Sequence, residues 1–223
     1  MKIYPNLSEA LRAFPRKSKE VFAIISFNGQ AYFVFRSNPD AEVATIIQAH
    51  NKMVIGNELL KLAPENVDRP RKERLYKLMI EGGASKEFPE KSRHAEENLI
   101  RGFPTILNDF KKMFPNQKIN KIDIFLTHSP CSKKGSKKYS SQCTVHNFFL
   151  PEGCDKKLTV FFKNKNYING SDLFSSNPGV RVHYNHKFDP SVSNEGNEFI
   201  KEADPELKSV LSKYLDNGPG SSI

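Results

Sequence analysis

From Val21 to Arg36 the chain runs as two apolar, β-rich stretches, VFAIISF and AYFVFR, parted by Asn28-Gly29. Asn-Gly suits a tight turn whose two central residues need positive φ, so a hairpin of strands over 21–27 and 31–37 is predicted. Ahead of it, Leu7, Leu11 and Phe14 share one side of a short helix that Ser8 can cap and Pro15 stops. Behind it, AEVATIIQAHNKMV and RKERLYKLMIEGG carry apolar residues at helical spacing, punctuated by Pro64, Pro70 and Gly82-Gly83. A helical insertion over about 39–93 follows from that pattern.

A further helix opens at about His94, and Gly102 and Pro104 are expected to break it before TILNDFKKMF resumes the helical period. INKIDIFLT reads as a buried strand running into His-Ser-Pro-Cys. SQCTVHNFFL then reads as a short helix, KLTVFFK and GVRVHYN as strands, and PELKSVLSKYL as a terminal helix. Residues 216–223 form a frayed tail. Strands alternating with helices after an opening hairpin, with no internal repeat or linker, predict one α/β domain over 1–223.

Composition narrows the class. A chain of 223 residues with 17 Phe and no Trp has enough apolar material for a core. Lys and Arg number 34 against 25 Asp and Glu, which favours a polyanionic partner such as nucleic acid. No apolar run reaches the roughly 18 residues a membrane helix needs, and MKIYPNLSEALRAF has no signal-peptide pattern. An intracellular protein of cytoplasm or nucleus, without membrane association, is expected. Three cysteines are an odd number and too few for a disulfide scaffold, which leaves metal ligation as the use to test.

His94, Cys131 and Cys143 suit zinc, which takes imidazole and thiolate ligands in a tetrahedron and, where catalytic, keeps one position for water. His94 opens one helix, and Cys131 and Cys143 are expected to flank the start of another. Helix N-termini favour anionic thiolates. Glu96 is not a ligand in this reading; two residues from His94, it can shuttle a proton to and from the zinc water. Cys154 is the alternative third ligand, and otherwise a small half-buried thiol where a strand begins.

These residues resemble the zinc-dependent cytidine deaminase superfamily, whose signature is His-x-Glu followed by Pro-Cys-x-x-Cys. The order of hairpin, His-Ala-Glu helix, strand, Ser-Pro-Cys, cysteine helix and two strands is similar to that fold. LTHSPC, CTVHNFFL, KLTVFFKNKNY and PGVRVHYN resemble the AID/APOBEC-like polynucleotide branch. The resemblance covers roughly 5–38 and 92–187 and implies a three-layer fold with a mixed sheet of about five strands. It also implies hydrolytic deamination of cytosine to uracil in single-stranded DNA or RNA. His94, Cys131 and Cys143 would hold Zn2+, and Glu96 would be the general acid/base. Ala95, Ser129, Pro130 and His128 would line the base pocket.

The departure lies in spacing. Eleven residues separate Cys131 from Cys143, and SKKGSKKYSS reads as an insertion on the active-site rim. Its Lys133, Lys134, Lys137 and Lys138, with Tyr167 from a neighbouring loop, are expected to contact the strand, aromatic groups stacking on unpaired bases. The acidic stretch DPSVSNEGNEFIKEADPE is expected away from the substrate path. The competing readings are deamination of adenosine in RNA or of a free nucleoside, a toxin-type deaminase, and a catalytically idle zinc-scaffolded nucleic-acid-binding module.

Overall fold

The computed structural model describes residues 1–13, 20–37, 70, 73, 94–131, 141–143, 148–150, 153–163, 172–187 and 199–215. Apart from Pro70 and Glu73, the insertion expected over 39–93 lies outside these residues. So do Phe14, the four lysines, Tyr167 and the tail.

The hairpin forms where expected: β1, Phe22–Phe27, pairs antiparallel with β2, Ala31–Arg36. Asn28 and Gly29 both take positive φ, 56° and 68°, as the tight turn requires. The Asn28 side chain accepts from the N–H groups of Asn120 and Lys121, tying the turn to the next strand. That strand, β3 (Ile119–His128), lies antiparallel to the other side of β1. β6, Phe174–His186, then joins β3 in parallel, and β7, Ile200–Glu202, joins β6 in parallel. The result is a mixed five-stranded sheet in the order β2-β1-β3-β6-β7.

Residue parity assigns the two faces. Ala23, Ile25 and Phe27 of β1 join Ile122, Ile124 and Leu126 of β3 in one core cluster, with Leu99, Phe103, Phe110, Phe161 and Phe162. Phe22 and Ile24 point the opposite way, towards Leu11 of α1 (Leu7–Arg12) and Leu211 of α4 (Pro205–Leu215). Helices therefore cover both faces, giving the α/β class that the pattern predicted and the three layers that the resemblance implied. Each core phenylalanine contributes about 1.5–3 kcal/mol by leaving water.

Four local expectations are corrected. Asn6, not Ser8, caps α1, its side chain accepting from the Glu9 N–H at 2.9 Å. α2 is continuous over Ala95–Met113, with Pro104 inside it. Gly102 does not break this helix but permits close packing, since a Cβ there would lie 2.4 Å from the Phe35 ring. The segment read as a cysteine helix instead contributes β4 (Ser141–Cys143) and β5 (Phe148–Leu150), an antiparallel pair outside the main sheet.

The fourth concerns KLTVFFK, expected as a strand. It belongs to α3, Cys154–Leu158, which continues as a π-helical turn over Thr159–Lys163. That wider turn lets the adjacent rings of Phe161 and Phe162 both pack edge-on against Phe103, with centroids 5.2 and 5.5 Å away. Among the described residues no helix is long and apolar enough to cross a membrane.

Candidate metal centre

The first nine residues of α2, Ala95 to Phe103, are all buried, although Glu96, Glu97, Asn98 and Arg101 are polar or charged. Buried charge at the start of a helix costs stability unless something pairs with it, and so points to chemistry or to anchoring. Asn98 anchors: its amide donates to the Arg36 carbonyl at 2.8 Å, fixing the helix start to the end of β2. Arg36 is itself gripped by two 2.7 Å bonds to the Glu20 carboxylate.

His94 is the N-cap residue of α2, with extended backbone and no side-chain capping bond, so its imidazole is directed elsewhere. Its Nδ1 lies 3.8 Å from Cys131 Sγ and 3.5 Å from Cys154 Sγ. All three ligand atoms fall within 4.8 Å of one another. Zinc bonds of about 2.0–2.1 Å to nitrogen and 2.3 Å to sulfur make a tetrahedral N···S edge of about 3.6 Å. The two observed N···S separations bracket that edge, so the residues present fit a zinc ion. Among the described residues no fourth His, Cys, Asp or Glu joins the group, which leaves one coordination position without a protein ligand.

The third ligand differs from the preferred expectation. Among the described residues the third member is Cys154, the alternative to Cys143. The physical reason is local geometry: Cys154 is the first residue of a helix, whereas the backbone of Cys143 ends strand β4. The side chain of Cys143 lies outside the described residues. Gly153, at φ 80°, turns the chain into α3, and the Asp155 N–H donates to the Cys131 carbonyl at 3.4 Å. That bond brings the second cysteine helix back to the end of β3, where Cys131 emerges. Rather than a half-buried thiol beginning a strand, Cys154 is a buried one beginning a helix.

Electrostatics divide the two thiols. The Cys154 thiol, donating to Cys131, does most to hold Cys131 as a thiolate, down at about 4; bonds from His94 and the Cys154 backbone add to this. Cys154 is pushed well above the usual thiol range by that same bond and by its burial. His94 is raised, chiefly by its bond to Cys131. Glu96 is held up at about 7, first by burial, with the Cys131 thiolate adding to it. A carboxyl poised there both holds and releases a proton at neutral pH.

Of the remaining expected residues, Ala95, His128, Ser129 and Pro130 are among those described. Ala95 is fully buried beside Glu96. Ser129 is buried, and its N–H donates to the His186 carbonyl at 2.7 Å, so that amide braces the sheet. Pro130 is buried, and His128 is half-buried with Nδ1 3.2 Å from Thr127 Oγ1. Lys133, Lys134, Lys137, Lys138 and Tyr167 are not placed by the described residues.

Two features escaped the sequence reading. His186 stands in register with His128 on the parallel neighbour, their ring centroids 5.6 Å apart. The alternation VHYNH could have flagged it, since it sets His186 on the same sheet face as Val182 and Tyr184. The second is the buried set Glu97, Arg101 and Lys157, of which the i,i+4 spacing of Glu97 and Arg101 was visible. No family model matches the chain, and neither does any curated protein or any solved structure.

Proposed function

We propose that this protein is a zinc-dependent hydrolytic deaminase converting cytosine to uracil in single-stranded nucleic acid. The observation that carries the reading is Glu96: a carboxyl buried at a helix start, two residues beyond His94 and outside the ligand group. A structural metal site has no use for such a group, and the cost of burying it argues for chemistry.

His94, Cys131 and Cys154 would hold the zinc, which when bound supplies a water acidified towards neutral pH. Glu96 would take one proton from the attacking water and pass it to N3 of the ring, then take the second from the hydroxyl added at C4 and deliver it to the departing amine. Water and cytosine become uracil and ammonia, and Glu96 ends as it began. Backbone near Ser129 and Pro130 meets the exocyclic amine, a donor, so carbonyl oxygens rather than N–H groups read it. The excess of 34 Lys and Arg over 25 Asp and Glu supports a polyanionic substrate. An unpaired base needs little work to reach, which favours single strands.

Zinc-loaded protein incubated with single-stranded DNA and RNA oligonucleotides, then sequenced, tests this. C-to-U conversion is expected. A-to-I conversion alone would move the substrate to adenosine, and conversion of free cytidine alone would remove the polynucleotide. No conversion of any of these by zinc-loaded protein would reject the enzyme.

A further inference from the structure

The two helices that carry ligands are joined by buried charge. Glu97 lies three residues beyond His94, and Lys157 lies three beyond Cys154. On α3 that spacing places Lys157 on the same side as Cys154, and Glu97 stands in the first turn of α2, which His94 caps. The two residues meet. Glu97 Oε1 accepts from Arg101 at 2.9 Å, one turn along α2, and lies 3.5 Å from Lys157 Nζ on α3. Glu97, Arg101 and Lys157 are 0%, 5% and 5% exposed. The second Glu97 oxygen, Oε2, has no hydrogen-bond partner among the described residues.

We propose that Glu97 and Lys157 are positioning residues for the metal centre, an ionic clamp that sets the distance between His94 and Cys154. Buried charges of opposite sign tolerate little separation, because neither is compensated by solvent. The clamp holds α3 near its first turn. Packing of Phe161 and Phe162 against Phe103 holds it further along. Two contacts on one short helix fix its orientation, and hence where the Cys154 sulfur points. Residues outside the coordination sphere that orient ligands commonly change metal affinity when altered.

This inference rests on the zinc reading, and the test separates them. Zinc affinity is measured by competition with a chromophoric chelator, the thiolate–cobalt bands by titrating Co2+, and the melting temperature on metal-free protein. Lys157→Met should weaken zinc about 10–100-fold and alter the cobalt bands. Lys157→Arg, which keeps a cation within reach of Glu97, should bind more tightly than Lys157→Met. Leu211→Ala, a cavity on the opposite face of the sheet, should lower the melting temperature and leave zinc affinity unchanged. Glu97→Gln should weaken zinc as well; if it fails to fold, the two Lys157 variants decide.

Parent-like zinc binding by Lys157→Met would overturn the clamp while leaving the zinc reading standing. Equal affinities for the Arg and Met variants would assign the effect to packing and overturn the ionic role. Zinc loss in Leu211→Ala matching that in Lys157→Met would reduce the effect to general destabilisation. A parent protein that takes up no zinc would overturn the metal reading and the clamp together.

Discussion

Replacing Cys154 by alanine removes a buried sulfur that lies 3.5 Å from His94 Nδ1. No other His, Cys, Asp or Glu among the described residues is placed to substitute for it. Apparent zinc-binding energies of about 10–16 kcal/mol are spread over four coordination positions, so one thiolate carries about 2.5–4 kcal/mol. At about 1.4 kcal/mol per decade, Cys154→Ala should weaken zinc roughly 10²–10³-fold. Cys143→Ala should bind as the parent does, because its backbone ends a strand of the small β4–β5 pair. Both variants can be titrated against a chromophoric chelator, and native mass spectrometry counts the metal that remains. The opposite pattern, zinc retained in Cys154→Ala and lost in Cys143→Ala, would refute the assignment and restore the shorter spacing.

Other outcomes follow from the same geometry. Glu96→Gln should keep zinc and nucleic acid affinity while deamination falls by at least about a hundredfold, measured on oligonucleotides; activity surviving there removes Glu96 from the chemistry. Gly102→Ala forces a methyl against the buried Phe35 ring, and overpacking of about 1–3 kcal/mol should outweigh the gain of up to about 1 kcal/mol in helix propensity. Urea denaturation reads the difference, and a variant as stable as the parent would show that the ring yields freely. Changing Lys133, Lys134, Lys137 and Lys138 together to Ser should flatten the log–log salt dependence of single-strand binding by roughly 1.4–2.8 if two to four of them touch phosphate. Unchanged slopes would reject the loop as a strand contact.

What could be read from the chain alone was local. The Asn28-Gly29 turn carries its own backbone demand, and β1 and β2 appeared within a residue of their expected ends. His94 and Cys131 were legible as partners because they sit at a helix start and just past a strand end that their neighbours announce. Gly102 and Pro104 misled, since in isolation both weaken helices; the contact that makes glycine necessary, with Phe35, comes from the distant strand β2. KLTVFFK misled for a related reason. A short apolar run fits a buried strand or a buried helix equally well, and only the packing against Phe103 decides. With that helix misread as a strand, Cys154 lost its place at a helix start and the nearer Cys143 took it.

The chain between Cys131 and Cys154 has consequences for how such a protein can change. Its two ends are held side by side by the bond from the Asp155 N–H to the Cys131 carbonyl, and the Ser129 N–H ties the chain just before it to His186. Lengthening such a closed excursion is cheap, about 0.6 kcal/mol for each doubling. Changes in the length of this segment are therefore expected to cost little while the Asp155 to Cys131 bond holds its ends together. Lengthening or shortening it and titrating zinc is the experiment it invites.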